Sequence, residues 1–457
     1  MKKRVFYVNA IILTSSAVIL RLVNIWFCSF ICSKIGASGM GLYQLILSVF
    51  ILGITLCCSG ISLTVTRLVS EKRATRDTIR RCALFAACLS LAAASLLFFS
   101  SDFVAVNFIG NPSAAVPLKL LSPSLIFIAV SSCLKGYFIA IRNTVVGVTS
   151  DIIEQFVTIG SSIFLLNRMK NSLNALIIGS TIGDFASFVY IVLMYLIFVN
   201  IRKLSKEKGG GVIKSILHIA VPIFSSSFFR SLLSSVENVL IPRGLKQYGA
   251  GDDGALAQYG VMQGMVMPIL FFPSSFLTAL SVLLIPEMAQ AKAENNQSSI
   301  QRYVEKAFRY TLIFSFLITS VLIVFADNIG VAIYKSHDVG NILKIMAPII
   351  PLMYLDHVVD SILKGLDQQL YSLKYNFSDS IMRVVLIAVF VPKYGIKAFI
   401  AIIFMSEIYN ASLSINRLLK VTKLKVDIVG WIIAPSVCAA LLYYVLLLFQ
   451  KLYCFIV

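Results

Sequence analysis

Charge is scarce in this chain. Asp, Glu, Lys and Arg make up 13% of its 457 residues, about half the share usual in soluble domains. So little charge excludes the polar faces and linkers of a soluble multidomain protein of this length. Histidine is scarcer still, with only His218, His337 and His357. No zincin His pair, nucleophile elbow, P-loop or kinase set occurs. Metal-dependent hydrolysis, acyl transfer and nucleotide hydrolysis therefore have no carrier, and the chain reads as a non-enzyme with no cofactor and no metal centre. Acidic residues are few as well, 21 against 40 Lys and Arg, leaving a net charge of +19.

Apolar residues fill the space that charge leaves. They make up 58% of the chain, and the mean hydropathy is +0.88. Long apolar runs follow one another from Val5 to Phe449. A hydrocarbon core about 30 Å thick needs about 20 helical residues, and short alternating runs, the mark of an outer-membrane barrel, are missing. The fold expected is all-α and polytopic. Thirteen spans are expected, at 5–32, 40–65, 82–100, 117–141, 145–166, 173–199, 213–240, 255–285, 307–326, 340–363, 370–391, 396–416 and 427–449. The basic N-terminus and first run imitate a signal peptide, but the run is too long for one and no small-x-small site follows, so it reads as an uncleaved span.

Loop charge sets the orientation. With the N-terminus in the cytoplasm, the inner segments hold 22 Lys and Arg and the outer ones nine. This bias favours that topology in a bacterial inner membrane. The cations are thereby assigned to the membrane surface and span ends, not to nucleic acid.

The two halves repeat each other. Leu134-Lys135-Gly136 recurs as Leu363-Lys364-Gly365, Ser150-Asp151 as Ser378-Asp379, and the stretch from Ala175 to Asp184 as that from Ala398 to Glu407. Six spans per repeat put both halves in the same sense, a parallel pseudo-two-fold repeat. The expected organisation is a six-helix lobe over 1–210, a second over 211–425, and an extra helix over 426–457. The basic, glycine-ended stretch at 200–211 joins the lobes. Two matched lobes imply a rocking, alternating-access cycle with substrate held where the lobes meet.

Ionisable side chains inside spans are expensive and mark cavities, partners or pathways. Arg21 stands in the middle of the first span with no acid at i±4. A guanidinium there suits an anionic, phosphate-like group. Arg230 and Glu237 share a face of the seventh span, and Asp151 and Glu154 share one in the fifth. Asp379 and Arg383 stand at i,i+4 in the eleventh, where Arg383 could meet the acids of the fifth span as a gate. Asp356, His357 and Asp360 lie in the tenth, and Asp184 and Glu407 are repeat-related acids. Substrate-binding cations are expected at Arg21, Arg230 and Arg383. Gate or coupling-ion candidates, for H+ or Na+, are Glu237, Asp151, Glu154 and Asp360. The nine cysteines read as small apolar packing residues. Cys28 and Cys32 have i,i+4 spacing, but no His or carboxylate stands near to complete a metal site.

Several stretches resemble one family. Lys34-Ile-Gly-Ala-Ser-Gly-Met-Gly-Leu-Tyr-Gln44, Ser59-Gly-Ile-Ser62 and Arg67-Leu-Val-Ser-Glu71 look like its first loop and second span. Val239-Leu-Ile-Pro-Arg243, Tyr259-Gly-Val-Met-Gln-Gly-Met265, Phe272-Pro273, Leu284-Ile-Pro286, Ile362-Leu-Lys-Gly365, Tyr394-Gly-Ile-Lys397 and Ser406-Glu-Ile-Tyr-Asn410 continue the match. The ordered set, over about residues 5–425, resembles the polysaccharide and oligosaccharidyl-lipid flippases of the multidrug and lipid-exporter superfamily, in particular the stage V sporulation protein B type. Arg21 falls where that family has an arginine in its first span, and the chain departs from the pattern at Asn24, Cys28 and Ser62. The resemblance implies a transporter of polyprenyl-diphosphate-linked saccharide for peptidoglycan or another envelope polysaccharide. An ion-coupled multidrug exporter on the same scaffold is the alternative. A non-transporting scaffold for envelope synthesis is a further one.

Overall fold

A computed structural model describes residues 2–70, 76–202, 212–424 and 429–456. The stretch 203–211, most of the expected linker, lies outside them, as do 71–75, including Glu71 of the family pattern. Among the described residues every regular element is helical. Lipid offers the backbone no hydrogen-bonding partner, so a chain this apolar must satisfy its amides within each helix.

The contacts divide the chain into two compact units. The first holds Met1–Ser16 and Lys34–Arg243, the second Ala17–Ser33 and Gly244–Val457. The contacts pass from one unit to the other after Arg243, and the first helix contributes to both units. That helix, α1, runs over Lys2–Cys58 and is broken at Gly36, where φ is +71°. A side chain resists that conformation and glycine does not. One helical element thus carries the first two expected spans.

Unit one continues with α2 (Ile61–Ser70), α3 (Arg76–Phe103), α4 (Ala115–Leu121), α5 (Ser124–Ala140), α6 (Thr144–Leu166), α7 (Ser172–Arg202) and most of α8 (Val212–Leu245). α5 is its centre and packs on α2, α3 and α7, while α6 packs along α7. Close approach is what holds helices together in lipid, and small residues permit it. At Gly136 of α5 the backbone comes so near α2 that an added Cβ would sit 2.5 Å from the Ser62 carbonyl oxygen. Thr66 Oγ1 donates across the same contact to the Gly136 carbonyl, at 2.9 Å.

Unit two holds α9 (Gly251–Tyr259), α10 (Met267–Phe271), α11 (Ser274–Ala293), α12 (Gln297–Tyr334), α13 (His337–Met346), α14 (Ile350–Gly365), α15 (Gln369–Tyr394), α16 (Ile396–Thr422) and α17 (Ala434–Ile456). α14 is its core and packs on α11, α12 and α16. α17 lies along α12, fixed by the Ser320 hydroxyl on the Ala439 carbonyl at 2.9 Å. Phe308 and Trp431 add a ring contact at 5.1 Å.

Among the described residues eight helices are long and apolar enough to cross a membrane. They become nine if Pro112–Leu121 and Ser124–Ala140, bent by 42°, count as one span. Helices and expected spans do not correspond one to one: α1 carries two expected spans, and elsewhere one expected span is divided. The stretch expected as one helix over 255–285 is instead α9, a π-helical turn at Gly260–Val266, α10 and α11. Pro273 stands at the break between α10 and α11, because proline removes an amide and clashes with the preceding turn.

Candidate functional site

The Pro273 break creates an acceptor inside unit two. In an unbroken helix the Phe271 carbonyl would bond the Ser275 amide, but that amide turns to the Phe272 carbonyl, at 3.1 Å. The Phe271 carbonyl is taken instead by two side chains. Ser274 Oγ donates to it at 2.7 Å and Arg21 Nη1 at 2.9 Å. Arg21 Nη1 also reaches Ser274 Oγ, at 3.2 Å. The next carbonyl back, that of Leu270, accepts from the buried Tyr354 hydroxyl at 2.7 Å. Arg21 is thus oriented by neutral oxygens alone. Among the described residues no carboxylate lies within ion-pair distance of it, and it remains exposed. A guanidinium has five donors, so most of them stay available to an anionic group.

Arg230, on α8 in unit one, is also exposed, with no ion pair among the described residues. Glu237, two turns on, is buried. Ser235 between them donates to the Ser48 carbonyl at 2.9 Å and ties α8 to α1.

Asp151 and Glu154 come together at Lys135. Its Nζ lies 2.6 Å from Asp151 Oδ1 and 4.0 Å from Glu154 Oε2. The Gly136 contact fixes α5, and α6 follows it closely enough to bring the acids within reach. Asp184 of α7 is buried in the same unit, and Ser150 and Ser187 pair at 2.8 Å between α6 and α7.

Unit two carries a counterpart with different bonds. Asp379 and Arg383 pair at 3.6 Å along α15, and the Ser406 hydroxyl donates to Asp379 Oδ1 at 2.5 Å. Asp360 pairs with Lys364 at 2.7 Å, one turn along α14, and accepts from the Ser372 hydroxyl. Asn410 Nδ2 donates to Asp356 Oδ2 at 2.9 Å and lies 3.3 Å from Asn376 Oδ1. Arg417 stacks on the Tyr371 ring, 3.5 Å from its centroid, and bonds Gln368.

The charges that the spacing set against one another each have a partner inside their own unit: Asp151 and Glu154 share Lys135, and Arg383 has Asp379. Of the expected cations, Arg21 and Arg230 keep an unmatched charge among the described residues, while Arg383 has an acid beside it. Sequence reasoning singled out Arg21 as a candidate without its anchors, because the freed Phe271 carbonyl exists only once Pro273 breaks the helix. It also gave Lys135 no role. Its signal was the Leu-Lys-Gly repeat that marked Lys364 as its equivalent.

Comparison with known proteins places the chain in a family. A family model described as "Polysaccharide biosynthesis protein" matches residues 6–292, more than half of the chain. The MatE model matches residues 211–389. The stage V sporulation protein B of Bacillus subtilis (strain 168) is 26% identical over 383 residues, 80% of this chain and 74% of that protein. The sporulation protein YkvU of the same organism is 22% identical, over 69% of this chain and 72% of that one. Among solved structures, an inward-facing multidrug resistance MATE family transporter of the MOP superfamily aligns with a TM-score of 0.69 and 14% identity, over 90% of this chain and all of that one. The lipid II flippase MurJ in an inward closed conformation aligns with 0.67 and 16% identity, over 97% and 100%. The fold is that of this transporter superfamily, and the chain is a multi-pass membrane protein belonging to the polysaccharide biosynthesis protein family.

Proposed function

We propose that this protein is a flippase moving polyprenyl-diphosphate-linked saccharide across the bacterial inner membrane by alternating access, with its N-terminus in the cytoplasm. Arg21 carries the proposal. It is a guanidinium within an apolar span, oriented by a carbonyl and a hydroxyl, with no acid paired to it among the described residues. A diphosphate supplies the charge and the planar acceptors that such a group lacks. Family membership and the likeness to stage V sporulation protein B and to a lipid II flippase support the same substrate class. Arg230 is the second cation of the pathway, and Arg383, partnered by Asp379, serves it less directly.

The repeat of spans 1–6 in spans 7–12 supports a rocking cycle of two lobes, 1–210 and 211–425, with 426–457 as an added helix. Glu237, Asp151, Glu154 and Asp360 are the acids through which H+ or Na+ would couple. Proteoliposomes carrying fluorescent lipid-linked disaccharide test the reading: wild type moves the label and Arg21→Ala does not. Equal translocation by both removes the role of Arg21. Ion-coupled export of amphipathic cations is a second reading, favoured by the MatE match and the carboxylates of unit two. Gradient-dependent drug efflux without lipid translocation would select it. Full complementation of a deletion by charge-neutralised variants would select a scaffold instead.

A further inference from the structure

Three sulfur-bearing side chains of unit two, Cys28, Cys32 and Met265, lie close to one another along α1 and the turn that packs on it. Cys28 and Cys32, one turn apart on α1, share a face, with Cys28 buried and Cys32 partly open. Cys32 Sγ lies 3.9 Å from Met265 Sδ. Met265 is 2% exposed and sits in the π-helical turn Gly260–Val266, the kind of local distortion that recurs at functional sites. A third element closes the group. The Ser29 hydroxyl donates to the Ile333 carbonyl and brings the end of α12 against α1. The next residue, Tyr334, is buried, and its hydroxyl has no hydrogen-bond partner among the described residues. A buried phenol left unbonded costs free energy, so this one faces a position where a further group would be at home.

We propose that Cys28, Cys32 and Met265 form a binding site for a monovalent thiophilic cation of the Cu(I) type, with the Tyr334 hydroxyl beside it. Two thiols and a thioether are soft donors that suit Cu(I) and not Mg2+ or Ca2+, and three of them fall short of the four ligands of a structural Zn2+ site. The spacing fits. Metal–sulfur bonds are about 2.3 Å, and three sulfurs in a plane around one ion then stand about 4 Å apart, the separation seen between Cys32 and Met265. Each thiol that binds gives up its proton to solvent, and no electron is transferred. Binding would tie α1 to the π-helical turn, adding a covalent-strength clasp to the contacts Arg21 and Ser29 already make in this unit. The proposal does not rest on the flippase reading, because metal binding is measured without transport.

The test uses the full chain in detergent under reducing, anaerobic conditions, titrated with Cu(I) against a bathocuproine competitor. A parallel chain has Cys57, Cys58, Cys82, Cys88, Cys133, Cys438 and Cys454 changed to Ser. The expected result is one equivalent of Cu(I) in both proteins and a sulfur-only shell at about 2.3 Å by X-ray absorption. Cys28→Ser, Cys32→Ser and Met265→Leu should each weaken the affinity by at least about tenfold, since even outer-shell losses reach that size at metal sites. Should the seven-fold variant fail to fold, the three single variants in the wild-type chain carry the test. Unchanged stoichiometry and affinity in the chain with all three residues replaced would overturn the proposal. So would an oxygen- or nitrogen-dominated shell.

Discussion

Lys135 on α5 bonds Asp151 on α6 at 2.6 Å, a link between neighbouring helices. Lys364, its partner in the sequence repeat, turns to Asp360 within α14 itself. The repeat has kept the position of the cation and changed the bond it makes. In unit one the lysine joins two helices. In unit two the corresponding helices, α14 and α15, are joined by the Ser372 hydroxyl on Asp360, and Ser406 on Asp379 and Asn410 on Asp356 add links from α16.

Lys135→Ala should therefore loosen unit one. The pair is partly exposed, 26% at Lys135 and 50% at Asp151, so its contribution is about 1 kcal/mol. The melting temperature in detergent should fall by about 1–2 °C. Asp151→Asn alone should cost less, and the double change should cost less than the two singles added together. Strict additivity would mean that the two side chains do not interact.

Arg21 is tested by shape as well as charge. Arg21→Ala should lower lipid-linked saccharide translocation at least about tenfold, the size of one lost charge-assisted hydrogen bond. Arg21→Lys keeps the charge but gives up the planar fork. A lysine here should recover only part of the rate, with the loss largest at low substrate concentration. Full recovery by lysine would make Arg21 a source of field rather than a phosphate ligand.

Close backbone contact gives a sharper stability test. Gly136→Ala places a Cβ 2.5 Å from the Ser62 carbonyl oxygen, which cannot move without shifting α2. The cost should be about 1–3 kcal/mol. Gly160→Ala, on α6, meets nothing within 4 Å and should be neutral or stabilise by up to about 1 kcal/mol through helix propensity. Thermal unfolding of the two variants in the same detergent decides. Equal melting temperatures would mean that α2 and α5 are not held by that contact.

Much of this was legible in advance. Span-length apolar runs and the scarcity of charge gave an all-helical membrane protein, and Arg21 stood out because nothing on its own helix answers its charge. Three features were not fully legible. The break at Pro273 frees the Phe271 carbonyl that orients Arg21, yet a proline in an apolar run marks only a bend. The pairing of Arg383 with Asp379, four residues back, was one of the partners that the sequence allowed, and spacing alone does not rank it against acids far along the chain. The passage of contacts from one unit to the other after Arg243 was hidden because it depends on which helices touch.

The carboxylates of unit two give the last expectation. Asn410 is buried, and its amide donates to Asp356 Oδ2 at 2.9 Å. Removing the donor leaves a carboxylate oxygen with one partner fewer in a low-dielectric setting, which costs about 1–3 kcal/mol. Asn410→Leu should therefore destabilise by about that amount. Removing both ends of a hydrogen bond is cheaper than removing one, since no polar group is left stranded. Asn410→Leu combined with Asp356→Leu should accordingly unfold at a higher temperature than Asn410→Leu alone. If the double variant were instead as unstable as the summed singles, the bond between Asn410 and Asp356 would not be what keeps α14 and α16 together, and the stabilising contact would have to be sought among Asn376, Asp379 and Ser406.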